Sequence, residues 1–328
     1  MKIGIIGATG MIGNHTARLV VQKGHELTVI HRKNADLSRI EGLLYDSRVG
    51  DLNDKTSLIN AFAGLDWVIN CGAYYPTKPL PLAQEMQTAT AQMTAFIGAI
   101  KASGIKKAVY VGGAISLPKS ASGMGDETMN YTENPPNKTP YLQVKWLMDK
   151  MAQDAGKSGV PLVLGIPAMT FGEYDYGPTT GQLIKQIANK QMPAYLQGNR
   201  NVVYAGDAAI GLLLAAEKGK NGERYLITGE NINMDDLVVK IAELANVPPP
   251  KTVIPLRLAK IISFIQTLKY KYFNGPVPKL SATAIAILSA GQFLDGEKAK
   301  KKLGYAPSVT TDEAIKRTIN WFKSVGYV

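Results

Sequence analysis

Residues 4–24 read GIIGATGMIGNHTARLVVQKG. The apolar run KIGIIG (2–7) has the makings of a strand, and Gly7, Gly10 and Gly13 punctuate the turn that follows it. A helical pattern then runs to Gly24, which is placed to end it. Glycines at such a turn let backbone N–H groups approach a pyrophosphate at the positive end of a helix. The spacing is G-x-x-G-x-x-G, a variant of the commoner G-x-G-x-x-G. Because it follows a strand directly and opens a helix, the stretch predicts a dinucleotide-binding β–α unit.

The pattern repeats outward from that unit. Further strands are expected at ELTVIH (26–31), SRVGD (47–51), DWVINC (66–71), KAVYVGG (107–113) and PLVLGIP (161–167). They are rich in Val and Ile and mostly unalternating, as strands covered on both faces are. Helices are expected near 12–23, 55–63, 84–103 and 141–155. The βα rhythm predicts an α/β Rossmann fold, a doubly wound parallel sheet. After Pro167 the rhythm changes, with helices near 179–190, 207–219, 234–245, 256–272, 280–289 and 311–324 and a late strand at 224–228. Turns are expected at 133–140, 246–252 and 274–279. The division that results is a cofactor-binding domain over 1–170, to which segments near 200–228 return. A smaller, mainly helical C-terminal substrate domain takes 171–195 and 229–328.

Bulk composition narrows the partners. Cys71 is the single cysteine among 328 residues, so no intrachain disulfide forms, and a reducing cytoplasmic setting is expected. The three histidines all lie in the first 31 residues, with no Cys/His spacing suited to a metal. The start MKIGIIGATG breaks at glycines too early for a signal peptide, and no run is long enough to span a bilayer. Of the net charge of +11, residues 251–302 supply ten Lys/Arg against two acids. Without a nucleic-acid motif or basic–aromatic interleaving, no nucleic-acid partner is expected. Within that basic region, 254–273 places Leu258, Ile261, Ile262, Ile265 and Leu268 on one helical face. Packing of this face on the Rossmann unit is expected in preference to a membrane surface. The partner is then a small-molecule substrate, and a homodimer is compatible with the chain.

Two constellations carry chemistry. The second strand ends ELTVIHRKN, so Arg32 and Lys33 stand at its tip and no acid appears before Asp36. An acid there would hold a ribose 2′-hydroxyl, whereas an arginine fork and a second cation suit a 2′-phosphate. The expected cofactor is NADP(H). Further on, TPYLQVKW (139–146) sets Tyr141 and Lys145 four residues apart, after a Thr-Pro helix start. Residues i and i+4 share a helix face. A cation beside a phenol of pKa ~10 would help it shuttle protons. The alternative is a core tyrosine beside a surface lysine. A second pair, Tyr74 and Lys78, contains Pro76, so helical spacing cannot be assumed there.

The chain resembles the extended short-chain dehydrogenase/reductases. GATGMIG matches their nucleotide loop, VGDLND (49–54) their third-strand motif and INCGA (69–73) their fourth. Likeness continues through YLQVK, GIPAMTFGEYDYGPTTG (165–181), MPAYLQGNRNVV (192–203) and GERYLITGEN (222–231). The later segments are most similar to the branch of dihydroflavonol-reductase-like and hopanoid-associated epimerase-like proteins. The resemblance implies cofactor contacts from Gly7, Thr9, Gly10, Met11, Ile12 and Gly13, from Arg32 and Lys33, and from Asp51 and Leu52, with Asp51 at the adenine. It adds Cys71, Gly72 and Ala73, then Val111, Pro167 and Met169. It gives Tyr141 the proton-donor role and Lys145 the nicotinamide ribose, and sets substrate beside Tyr75, Gly113, Ala114, Tyr174 and Thr180. One departure stands out: Gly113 occupies the position where the family carries a serine or threonine. Ser116, three residues on, can replace it only if the chain turns back after Gly113.

The reading that follows is an NADP(H)-dependent oxidoreductase acting on the carbonyl or alcohol of a small or medium organic molecule. A nucleotide-sugar epimerase or dehydratase is the alternative enzyme, and a catalytically weakened NADP(H)-sensing or interaction protein the alternative outside catalysis. The cluster around Tyr74, Tyr75, Met169, Tyr174 and Tyr176 is either an apolar ligand pocket or an inter-domain core.

Overall fold

The computed structural model describes residues 1–72, 74–76, 80–273, 275, 276 and 282–328. Ala73, Lys78 and most of the turn expected at 274–279 lie outside the described residues. In chain order the first half contains β1 (Lys2–Ile6), α1 (Met11–Gln22), β2 (Glu26–His31), β3 (Asp46–Val49), α2 (Lys55–Phe62) and β4 (Trp67–Asn70). There follow α3 (Leu82–Ser103), β5 (Lys107–Val111), the short β6 (Met124–Gly125), α4 (Pro140–Lys157) and β7 (Leu162–Pro167). The second half has β8 (Met169–Phe171), α5 (Gln182–Ala188), β9 (Ala194–Tyr195), β10 (Asn199–Tyr204), α6 (Ala205–Lys218), β11 (Arg224–Ile227) and β12 (Glu230–Asn233). It closes with α7 (Met234–Leu244), β13 (Thr252–Val253), α8 (Leu256–Tyr272), α9 (Ala282–Ala290), β14 (Phe293–Leu294), α10 (Glu297–Leu303) and α11 (Thr311–Ser324).

Seven parallel strands form one sheet in the order β11-β7-β5-β4-β1-β2-β3. Its strands are unalternating because both faces are covered: Ile3, Ile5, Val29, Ile30, Val68, Val109 and Val163 are all fully buried. The step from β1 to β2 runs one way along the sheet and that from β4 to β5 the other. Right-handed crossovers therefore put α1 and α3 on opposite faces. α6 lies against α1, and α3 packs between α2 and α4. The reversal of direction at β1 and β4 opens a crevice at the carboxyl ends of the strands, where ligands of such sheets bind.

A second, smaller core lies beyond β7. β12, β10 and β8 make a three-stranded sheet, and α5, α7 and α11 pack about Phe171, Ile184, Leu237, Ile241, Ile315 and Phe322. Asn233 caps α7 and Thr310 caps α11, each accepting from a backbone N–H of the first turn. Helix α10, absent from the sequence reading, returns to the large sheet. Its Lys298 donates to the Arg224 carbonyl at 2.8 Å, and Ala299 and Leu303 join the main core. This helix covers β11, an edge strand whose free side would otherwise invite pairing.

Helix α8 departs from expectation. Its main neighbour is α9, and the contact runs through buried Ala259 together with Ile285 and Leu196. Leu258, Ile261 and Ile265, expected to pack on the Rossmann unit, are exposed. Leu268 and Ile262 are half-buried. Among the described residues, no helix is long and apolar enough to cross a membrane.

Candidate active site

The turn after β1 is built by exclusion. Gly7 has φ +80°, and a Cβ there would stand 2.8 Å from the Gly72 nitrogen. A Cβ on Gly13 would stand 2.1 Å from the Gly7 carbonyl oxygen. Only glycine allows strand β1, the loop after β4 and helix α1 to approach this closely. Gly10 caps α1 without any side-chain bond to the first turn. The free N–H groups of that turn therefore face the crevice, a cradle suited to a pyrophosphate. Thr9, Met11 and Ile12 are half-buried around it.

The strand tips carry the other expected cofactor contacts. Arg32 and Lys33 follow β2, are exposed, and form no ion pair among the described residues. Asp36, the first acid after them, is already engaged. Its carboxylate accepts from Ser38 N, Ser38 Oγ and Arg39 Nε, and these bonds, the Ser38 hydroxyl first, hold it below the usual carboxylate range. After β3, Asp51 Oδ1 accepts from Asn53 N and Nδ2, both at 2.9 Å, while Leu52 packs against the main core. After β4, Gly72 N donates to Asn70 Oδ1. Cys71 is held by its backbone bond to Ile6, and burial pushes its thiol up to about 12, which disfavours the thiolate at neutral pH. Val111 is buried at the end of β5.

Helix α4 begins at Pro140 after Thr139 and brings Tyr141 and Lys145 onto one face. The Lys145 Nζ lies 5.9 Å from the Tyr141 ring centroid. The side chain is 8% exposed and has no acid or hydrogen-bond acceptor among the described residues, so burial lowers its ammonium to about 8. Tyr141 is raised well above the ordinary phenol value, by burial first and then by Tyr75, whose ring lies 4.6 Å away. Without a bound cofactor, burial thus outweighs the lysine, and Tyr141 is a protonated phenol at neutral pH. The other tyrosine is differently engaged: Tyr74 donates to Glu85 at 2.5 Å.

Gly113 follows β5 with φ −145° and ψ 139°, extended backbone open to any residue. A Cβ there would meet only Ile115 Cγ2, at 3.9 Å. The chain then enters a 3₁₀ turn over Ala114–Ser116 and does not continue as a strand. Even so, Ser116 is 1% exposed, and its hydroxyl donates to the Gly113 carbonyl at 2.9 Å. It lies outside the cavity wall beside Tyr141.

That cavity, of about 500 Å³, joins the two lobes. Tyr141, Gly113, Ala114, Pro167, Met169 and Thr180 line its inner end, together with Met11 and Ile12. Leu183, Met192, Leu196, Met234, Ile254 and Leu288 make its outer wall largely apolar. Sequence reasoning did not single these out, since they come from separate segments of the second lobe. It also missed Arg200, although the quoted MPAYLQGNRNVV contains it. Arg200 is 7% exposed, lines the cavity and, among the described residues, donates only to the carbonyls of Asn199 and Leu288. Burial lowers its guanidinium to about 10.

The tyrosines of the expected cluster divide. Tyr75 packs on Tyr141 with its ring tilted by 47°, but Tyr174 does not line the cavity. Its φ of +65° turns it between His15, at 5.3 Å, and Trp321, at 6.3 Å, with the Arg18 guanidinium 4.3 Å above the ring. Tyr176 packs edge-on against Trp321 at 4.9 Å. These two belong to the seam between the lobes.

Residues 3–228 match the model of the NAD dependent epimerase/dehydratase family. The chain belongs to that family. It is an extended short-chain dehydrogenase/reductase by fold and by relatives. Among solved structures, a nucleoside-diphosphate-sugar epimerase from Pseudomonas aeruginosa is 35% identical, covering 100% of this chain and 99% of its own, with a TM-score of 0.87. A Synechocystis protein provisionally named dihydroflavonol 4-reductase is 25% identical over 99% of this chain and 95% of its own. Sterol demethylase protein B of Methylococcus capsulatus is 24% identical over 99% of both. The epimerase/dehydratase fold thus extends through the whole chain, while the family match itself ends at residue 228.

Proposed function

We propose that the protein is an NADP(H)-dependent carbonyl reductase or alcohol dehydrogenase acting on a largely apolar small or medium molecule. One observation carries the reading: Tyr141, with Lys145 behind it, stands on the wall of an apolar cavity beside the open space at Gly113. The cradle that a Cβ at Gly7 or Gly13 would fill fits a dinucleotide pyrophosphate. Arg32 and Lys33 would take the 2′-phosphate, a preference supported by the prior engagement of Asp36. Asp51 and Leu52 would border the adenine, and Cys71, Gly72, Pro167 and Met169 the rest of the cofactor. In this reading 1–170 with 200–228 hold the cofactor, 171–195 and 229–328 hold the substrate, and the protein is cytoplasmic.

When bound, a nicotinamide dinucleotide supplies the hydride. Tyr141, protonated at neutral pH, donates its proton to the substrate oxygen as the carbonyl carbon is reduced, giving the alcohol. The buried Lys145 ammonium stabilises the phenolate that remains and holds the proton that restores it. Gly113 and Ala114 let the substrate oxygen come close, without the hydroxyl donor that the family resemblance leads one to expect there. Thr180 is a poor substitute, since its hydroxyl donates to the Thr170 carbonyl at 2.6 Å.

The second reading is a nucleotide-sugar epimerase or dehydratase, favoured by the name of the Pseudomonas structure. The apolar outer wall of the cavity weighs against a sugar nucleotide. Titration of NADPH and NADH into wild type and Arg32→Glu tests the cofactor. Wild type should prefer NADPH, Arg32→Glu should lose that preference, and equal wild-type affinities overturn it. Consumption of NADPH with a panel of ketones tests the reaction. Tyr141→Phe should lower turnover by about 10²-fold or more with NADPH affinity unchanged. Full activity in that variant would make Tyr141 a packing residue. Epimerisation of a nucleotide sugar without net NADPH consumption would establish the second reading. Tight NADPH binding with no turnover at all would point to a sensor.

A further inference from the structure

Helix α8 is amphipathic in the wrong sense for a helix packed on its own protein. Its inward residues are small, Ala259 and Ser263, both buried within the protein. Its outward residues are large and apolar: Leu258, Ile261, Phe264, Ile265 and Tyr272, with Phe264 65% and Tyr272 74% exposed. At about 100° per residue these fall in one stripe. Lys260 and Lys269, both exposed, border the stripe on its two sides, and exposed Arg257 lies at its N-terminal end. Between Glu243 and Asp295 the chain has no acid, but it carries Lys251, Arg257, Lys260, Lys269, Lys271 and Lys279.

Exposed apolar area concentrated on one element marks an interaction surface. The charge decides which kind. A second copy of the chain would bring two such cationic faces together without a counter-charge. A nucleic acid would meet the cations and leave the apolar stripe in water. An anionic bilayer satisfies both, since the stripe enters the acyl boundary while flanking lysines reach the headgroups. The location fits as well. A depression of about 340 Å³ beside the large cavity shares Leu196, Ile254 and Leu288 with it, and reaches Pro255 and Leu256 at the first turn of α8. Lys119 adds a further cation at this rim.

We propose that α8 lies on the surface of an anionic bilayer, apolar stripe inward and cations at the headgroups. This sets the outer end of the cavity at the lipid boundary. The docking stands on α8 alone and is independent of the reductase reading. The test is flotation of the full chain with phosphatidylcholine vesicles, with and without phosphatidylglycerol, at physiological salt. Wild type should float with the anionic vesicles and bind neutral ones at least about tenfold more weakly. Lys260→Glu with Lys269→Glu should reduce anionic binding to the neutral level, and Ile261→Asp with Phe264→Asp should abolish both. All four positions are exposed, so unchanged circular dichroism and NADPH binding should accompany each variant. Failure of wild type to float, or flotation untouched by Ile261→Asp with Phe264→Asp, overturns the proposal. So does a dimer in light scattering that the same variant splits while wild type ignores vesicles, since the face would then belong to a second copy.

Discussion

The loop after β1 and the loop after β5 both turn on glycine, for opposite reasons. At Gly13 an added Cβ would lie 2.1 Å from a backbone oxygen; at Gly113 it would meet a single methyl group at 3.9 Å. The first glycine is imposed by the backbone, which must bring strand and helix together to expose the N–H groups. The second is imposed by nothing in the fold. Its backbone is extended and its side-chain space is empty. In the reductase reading proposed above, that open space is room for the ligand. Glycines that look alike in a sequence therefore divide into those the backbone requires and those it merely allows.

Gly13→Ala should break the first region outright. The contact is with backbone, so relief requires the loop to open, at a cost of about 3 kcal/mol or more. NADPH affinity should fall by at least about 100-fold, read by fluorescence titration, with a lowered melting temperature. Retained affinity would mean that the loop does not bind the pyrophosphate.

Lys145→Met sharpens the contrast between stability and chemistry beside Gly113. The folded-state value of about 8 lies below the usual 10.5, so the unfolded chain binds more protons between the two. Native stability then rises with pH across that window, and the penalty of burying the cation is fully present below it. Lys145→Met should accordingly stabilise the cofactor-free protein at pH 7 by on the order of 3 kcal/mol. Urea denaturation should show most of that gain gone near pH 10, while ketone turnover is lost. A destabilised variant at neutral pH would mean that Lys145 has a partner in the native state.

Gly113→Ser should have the smallest effect on the fold. The position accepts a Cβ, and losing a glycine restricts the unfolded chain, so stability should change by less than about 1 kcal/mol. Turnover on a non-native ketone should rise by about tenfold or more, because a hydroxyl donor to a developing oxyanion is typically worth 10²–10³ when perfectly placed. Unchanged turnover with unchanged stability would show that the reacting oxygen does not lie beside Gly113.

Much of the frame was legible because it depends on local chemistry. Gly7, Gly10 and Gly13, the unalternating strands and the Thr-Pro start before Tyr141 each act through backbone geometry within a few residues. The strand at 224–228 and the helices at 207–219, 234–245 and 311–324 were readable from their own apolar periodicity. Helix α10 was not, since EKAKKKL is strongly basic and owes its place to the β11 edge it covers. Tyr174 fell in an aromatic cluster that could be a ligand pocket or an inter-domain core, and it packs with His15 and Trp321 at the seam. For α8 the periodicity was right and the direction of the face was wrong. A helical wheel shows that an apolar face exists and says nothing of what it meets.

By itself the sequence determined the dinucleotide loop, the parallel sheet, the cations at the β2 tip and the shared face of Tyr141 and Lys145. Each of these follows from residues adjacent along the chain or one helical turn apart. Only the tertiary structure decided the rest: the inward burial of Ser116, the empty space at Gly113, the apolar wall assembled from distant segments and the outward stripe of α8. Those depend on which surfaces meet across the fold, and packing partners and burial, unlike backbone propensity, are not written in any short stretch of sequence.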